Sequence, residues 1–399
     1  MDFFPANEMQ DYQIFGEFGG VNPSITDSAT FTFMTTEKMQ QCFEEEVEGC
    51  FLYSRHLNPM NKFLADQLKT MEGTEDAQVM ASGLGAISTT LLQLCQNGDE
   101  IISSRTIYGG SYALMKNFFP RLGINTHFVD ITDLEMVKSK ITKNTKVIYT
   151  ETISNPLLEI ADLKTLRAIC DEHNIKLVVD NTFSPLVVSP YKLGAHVVVY
   201  SLTKFVNGLN DCVAGAVCGT KEFVSSMRSV IDGAAMLLGP TMDPLRAASI
   251  FKNTRTLHIR MKQHSHNAMF IAENLEKAGI KVFYPGLKSH SQHDLITSMM
   301  NKEFGYSGVL TIDCKTKENA NKLMMLMQDA KVGLFAVSLG YVKTLFSSPG
   351  SSTSSEIPED VQKEMGMTPG LVRFSMGIDN DPNIALTRIK NCLKQINML

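Results

Sequence analysis

Between residues 100 and 205 the chain alternates short β-branched runs with helix-length amphipathic segments, and this alternation restricts the fold more than any other feature. Ile101-Ile102, Lys146 to Tyr149, Lys176 to Val179 and Val197 to Tyr200 are too short and too uniformly apolar to face water on one side, so they read as buried strands of a parallel sheet. Between them, Asp162 to His173 places Leu163, Leu166 and Cys170 on one face, with Asp162 where an N-cap belongs. Repetition of this unit predicts an α/β sheet covered on both faces. After about residue 255 the pattern changes. Ala268, Ile271, Ala272 and Leu275 follow helical spacing and stop at Gly279, Ala320, Leu323, Met324 and Met327 repeat it, and Gly308 to Ile312 supplies a strand. These predict a smaller C-terminal α/β domain. The first fifty residues show little periodicity and read as an arm that packs on something else, while residues 347–358 read as a loop. The expected divisions are 1–55 for the arm, 56–255 for the large domain and 256–399 for the small one.

Composition narrows the partners. A net charge of −5 with no basic stripe argues against nucleic acid or an anionic membrane. There is neither an apolar run long enough to span a bilayer nor a basic region ahead of an apolar one at the start, so a cytoplasmic protein is expected. The eight cysteines form no C-x-x-C pair, and the histidine pairs at 264/266 and 290/293 lack a third ligand at useful spacing, so no metal is expected.

In an open parallel sheet, ligands gather beyond the carboxyl ends of the strands. One run ends on Asp180, the next on Ser201-Leu202-Thr203-Lys204, and a third leads to Glu151 and Asn155-Pro156. Upstream, Ser82-Gly83-Leu84-Gly85 is a glycine turn opening a helix. Each feature alone is ordinary: a lone lysine after a strand is usually solvated, and an aspartate there usually makes a turn. Together they supply an amine for a carbonyl, an acid for a ring nitrogen and N–H groups for a phosphate, the set that pyridoxal 5'-phosphate requires.

These blocks resemble the transsulfuration enzymes, the Cys/Met-metabolism group of fold-type-I pyridoxal-phosphate proteins, from about residue 20 to the end. Ser201 to Asp211 is similar to the family's S-x-T-K-Y-x-x-G-H-x-D, and Val179 to Phe183 to its V-D-N-T-F. Tyr53 to Pro59 matches Y-x-R-x-x-N-P, Ala81 to Ile87 the glycine turn, and Leu371 to Gly377 the closing L-x-R-x-S-x-G. The resemblance implies a large, mostly parallel sheet domain, a smaller C-terminal α/β domain and an N-terminal arm. It implies that Lys204 joins the cofactor, that Asp180 serves the pyridine nitrogen, and that Tyr108 stacks on the ring and moves protons. Ser82, Gly83, Leu84, Ser201 and Thr203 would hold the phosphate, and Asn155 the ring hydroxyl. Tyr53 and Arg55 would reach a neighbouring subunit's phosphate, so a homo-oligomer is expected, a tetramer built of dimers. Ser338 and Arg373 would take the substrate α-carboxylate.

The implied activity is carbon–sulfur bond cleavage in a small sulfur amino acid. Cystathionine lyases, a γ-replacement synthase and a cofactor-binding protein without catalysis are the alternatives. Departures from the family pattern fall around the substrate. Leu209 and Asn210 follow Gly208 in place of the usual histidine step, Ser354 replaces a histidine, and Lys343 stands where an acid is common. Ala113 replaces an arginine of the synthases and cystathionine lyases, which favours a methionine γ-lyase-like substrate, whereas Gly110 replaces a cysteine of the methionine lyases.

Overall fold

The computed structural model describes residues 3–44, 47–352, 354–378 and 381–399. Successive side chains of a strand point to opposite faces, and here both faces are covered. Ile102, Ile148, Leu177, Val179, Val198 and Tyr200 enter one core, while Ile101, Val147, Tyr149, Val178, Val197 and Val199 enter another. The strands are β1 (Asp76–Met80), β2 (Glu100–Ser104), β3 (Asn125–Val129), β4 (Thr145–Glu151), β5 (Lys176–Asp180), β6 (Val197–Ser201) and β7 (Gly215–Gly219). Their order across the sheet is β1-β7-β6-β5-β4-β2-β3. β3, β2, β4, β5 and β6 run parallel, whereas β7 pairs antiparallel with both β6 and β1. Three of these strands, β1, β3 and β7, escape a sequence reading. β3 is a half-exposed edge strand with polar Asn125, Thr126 and His127, and β7 begins and ends on glycine.

The capping reading holds: Asp162 accepts the Thr165 N–H at 3.1 Å, and Leu163, Leu166 and Cys170 of the helix Leu163–His173 are buried. The helices Leu257–Glu276 and Lys317–Asp329 bury the two expected stripes in a third core. That core lies on a smaller sheet of β8 (Val282–Phe283), β9 (Val309–Asp313), β10 (Leu334–Phe335), β11 (Leu345–Ser347) and β12 (Leu371–Ser375). Its order is β10-β11-β12-β9-β8, so β12 is central, and Arg373 in its middle pairs with Ser347 and Thr311. Two details differ from expectation. The loop after β11 contains a 3-10 turn, Pro349–Ser351, and the arm is docked in part on its own chain. A helix at Pro5–Asp11 buries Ala6 and Met9 in the core that holds Leu64 and Leu68. Further along the arm, Phe15, Phe18, Val21 and Met34 are exposed. No described helix is long and apolar enough to cross a membrane.

A buried acid lies beneath the sheet. Glu72 accepts the Tyr191 N–H at 2.9 Å and the Tyr200 hydroxyl, which in turn accepts from Asn181 at 2.8 Å. Burial pushes its carboxyl from the ordinary value near 4.5 up to about 8. The folded chain therefore holds this proton over a range in which the unfolded chain has released it. The stabilisation is complete below the unfolded value and is lost as pH rises towards 8. Glu72→Gln cannot ionise, so the fall in urea midpoint between about pH 5 and about pH 8 should be shallower in the variant than in the native chain. Equal slopes would contradict this account.

Candidate active site

A cavity of about 460 Å3 opens where the carboxyl ends of β4, β5 and β6 face β12 and the turn before β11. The volume lies within the range of small-molecule sites. The structure brings most of the expected residues to its walls. Asp180, Ser201, Thr203 and Lys204 come from the ends of β5 and β6, and Ser82, Gly83 and Leu84 from the turn after β1. Tyr108, Asn155 and Arg373 close the other sides. Ser338 is not part of the lining, but its hydroxyl accepts from Lys204 Nζ at 3.2 Å and donates to Asn210 at 2.9 Å. Tyr53 and Arg55 do not reach this cavity; both are exposed, with the guanidinium 5.3 Å from the tyrosine ring centroid.

Each group is held by its neighbours. Ser82 caps the helix Gly83–Leu94 by accepting the Gly85 N–H at 2.9 Å. The first-turn N–H groups of Gly83 and Leu84 have no acceptor within the helix and suit an anion. Glycine is required at 83 because a Cβ there would lie 2.7 Å from Ser201 Cβ, so this helix start is pressed directly onto the end of β6. Asp180 accepts the Thr182 N–H at 2.9 Å and the Tyr149 hydroxyl at 3.4 Å. Thr182 Oγ1 accepts the Ser201 N–H at 2.8 Å, linking the ends of β5 and β6. The Thr203 hydroxyl exchanges hydrogen bonds with the Ala214 backbone. Arg373 Nη1 donates to Asn155 Oδ1 at 2.9 Å, and Nη2 reaches the Ser338 carbonyl at 3.5 Å.

Burial sets the electrostatics. The Lys204 ammonium is brought down to about 8, first by desolvation and then by Arg373, so a useful fraction is neutral amine near neutral pH. Arg373 falls to about 10 through burial alone, which leaves it fully charged. Asp180 and Glu151 stand side by side in register on β5 and β4, and burial pushes both carboxyls up. Glu151 is pushed further because Asp180 repels its charge, while hydrogen bonds from Thr182 offset the rise at Asp180. Tyr108 is pushed up by burial and then by Glu356, so it keeps its phenolic proton. Sequence reading assigned nothing to Glu151, Tyr149, Thr182 or Glu356. Thr182 lies inside the V-D-N-T-F block and Glu151 at the carboxyl end of a strand run, which were the available signals. Glu356, exposed on the loop after β11, reaches the cavity mouth only through folding.

The donors present fit pyridoxal phosphate: an amine with a depressed pKa, a buried acid in the same cavity wall, and a helix start whose Gly83 is pressed onto Ser201, with the Thr203 hydroxyl in the same lining. On this sheet order they define a fold-type-I pyridoxal-phosphate enzyme. A family model described as "Cys/Met metabolism PLP-dependent enzyme" matches residues 7–388. Methionine gamma-lyase of Arabidopsis thaliana is 46% identical over 91% of this chain and 84% of its own length. Cystathionine beta-lyase of Lactococcus lactis is 34% identical over 94% of this chain and 97% of its own. Among solved structures, a Campylobacter jejuni protein described as an O-acetylhomoserine (thiol)-lyase, carrying N'-pyridoxyl-lysine-5'-monophosphate, superposes with a TM-score of 0.91. It is 27% identical and covers 98% of this chain and 100% of its own. The chain belongs to the Cys/Met metabolism family and is a pyridoxal-phosphate-dependent carbon–sulfur lyase.

Proposed function

We propose that this enzyme removes a thiol from methionine- or homocysteine-like amino acids, leaving a 2-oxo acid and ammonia. In this reading it works in the cytosol as a tetramer built of two dimers, and the chain divides near residues 55 and 255. Lys204 joins the cofactor, and Asp180 carries the charge opposite its ring nitrogen. Gly83 and Leu84 N–H groups with the Ser82, Ser201 and Thr203 hydroxyls hold the phosphate, Asn155 faces the ring hydroxyl, and Tyr53 and Arg55 serve the neighbouring subunit. Bound pyridoxal phosphate supplies the ring that accepts the electron pair left when the α-proton departs.

The chain's own groups divide the remaining work. Arg373 binds the substrate α-carboxylate through a planar guanidinium, with Ser338 beside it. Lys204, with its pKa near 8, takes the α-proton as a neutral amine. Tyr108 keeps its proton, which makes it the donor to the departing sulfur.

The observation that carries the substrate assignment is that, among the described residues, Arg373 and Lys204 are the cations lining the cavity. Among the described residues, neither Ala113 nor Lys343 lines the cavity, whereas apolar Leu84, Val213, Val337 and Leu339 do. A distal carboxylate, as in cystathionine, would meet Glu356 and no partner of opposite charge in this chain's lining. A thioether or thiol end has no such charge to leave unpaired. At Gly110 a Cβ would lie 2.5 Å from Tyr108 Cε1, so the phenol ring fills the space a cysteine would need. Release of thiol and 2-oxo acid from L-methionine, L-homocysteine, L-cysteine and L-cystathionine tests this. An unpaired buried carboxylate should lower kcat/KM for cystathionine at least ~10-fold below methionine or homocysteine. Preference for cystathionine would overturn the assignment.

A further inference from the structure

Glu151 ends β4 inside the cavity wall and is 6% exposed. Its two carboxyl oxygens serve different loops. Oε1 accepts the N–H of Tyr108 at 2.8 Å, and Oε2 accepts the N–H of Asn155 at 2.8 Å. The second link continues, since Asn155 Oδ1 accepts from Arg373 Nη1 at 2.9 Å on the central strand of the smaller sheet. One carboxyl group thus spans the turn after β2 and the turn after β4 and reaches β12 through a single amide.

We propose that Glu151 is a positioning residue that fixes Tyr108 and the Asn155–Arg373 pair relative to each other across the cavity. The inference rests on the assignment of Tyr108 and Arg373 to the active site. Its physical basis is the cost of having an acid there at all. Glu151 is buried, it stands in register beside Asp180, and Arg373 is the cation that faces it. Two neighbouring acids in a dry site repel each other, and a neutral side chain of the same length would avoid that cost. Glutamine has that length, but its amide nitrogen carries no acceptor. A carboxyl group keeps acceptor capacity on both oxygens, ionised or protonated, so among side chains of this reach it alone can satisfy both N–H groups. Tyr108 opens the short helix Gly109–Ala113, which has no side-chain cap; the Tyr108 carbonyl accepts the Tyr112 N–H at 3.0 Å, and the Glu151 bond ties the Tyr108 N–H at the point where the phenol departs.

The test uses Glu151→Gln in the cofactor-loaded enzyme. The variant can accept only one of the two N–H groups and sets a donor against the other. Amide hydrogen exchange in at least one of the peptides spanning residues 105–112 and 152–158 should accelerate ~10-fold or more, since a buried N–H loses a partner. Thiol release should lose ~30-fold in kcat/KM, divided between kcat through Tyr108 and KM through Arg373, while bound-cofactor absorbance persists. Unchanged exchange in both peptides, or native kcat and KM, would overturn the proposal. Should the variant not fold, exchange in the native enzyme decides. Slow exchange at the Tyr108 and Asn155 amides supports the tie, and exchange at the rate of open loops removes it. Because exchange reads the hydrogen bonds directly, this outcome stands apart from whether Lys204 proves to be the reactive lysine.

Discussion

Lys204→Ala should lower thiol release by at least about ten-thousand-fold while leaving the fold intact, since it removes both the amine that joins the cofactor and the base. The loss should be in kcat, because the groups assigned to phosphate and α-carboxylate binding remain. Stability should hold or rise slightly. Among the described residues the Lys204 ammonium makes one hydrogen bond, to Ser338 at 3.2 Å, and burial already disfavours its charge. The native enzyme should absorb near ~420 nm, as pyridoxal phosphate joined to a lysine does, and borohydride should fix the label on Lys204. A variant retaining about 1% of native kcat, or a label on another lysine, would remove Lys204 from the mechanism.

Arg373→Ala should cost ~100- to 1000-fold in kcat/KM, expressed mostly as a higher KM. A two-pronged pair with a desolvated carboxylate is worth roughly 3–4 kcal/mol, and each 1.4 kcal/mol is tenfold. The guanidinium is well prepared for that role. It is 2% exposed, held by Asn155, and still charged although burial draws it down to about 10. Lysine at this position keeps the charge without the planar fork, so Arg373→Lys should recover only about tenfold of the loss. Substrate amides separate binding from folding effects. The native enzyme should discriminate strongly against L-methioninamide, and the alanine variant should scarcely discriminate. An unaltered KM for methionine in Arg373→Ala would place the α-carboxylate elsewhere.

The legible parts of this protein share a local physical cause. Buried parallel strands leave runs such as Leu177-Val178-Val179, and a polar residue that interrupts such a run at its carboxyl end, as Asp180 and Ser201 do, is exposed to ligand by topology alone. The capped helix after Asp162 and the stripes at 268–275 and 320–327 were readable for the same reason, since spacing of 3.6 residues is a local property. β3 and β7 were not readable, because an edge strand with polar side chains and a strand bounded by glycine carry no such pattern. The N-terminal helix was missed because its apolar contribution, Ala6 and Met9, is too small to declare a face.

By itself the sequence determined the fold class, the cofactor and the order in which the amine, acid and glycine turn arrive, since these follow from short-range patterning and from motifs whose residues are near neighbours. Tertiary structure alone decided which distant groups meet. It set Arg373 against Asn155 across 218 positions, turned Ser338 to Lys204 across 134, and brought the Glu356 charge close enough to raise the Tyr108 phenol. It also decided protonation, because the depressed amine at Lys204 and the raised acids at Glu151 and Asp180 arise from burial and from charges delivered by other strands. Desolvation and Coulomb interaction depend on distance through space, and distance along the chain does not encode them.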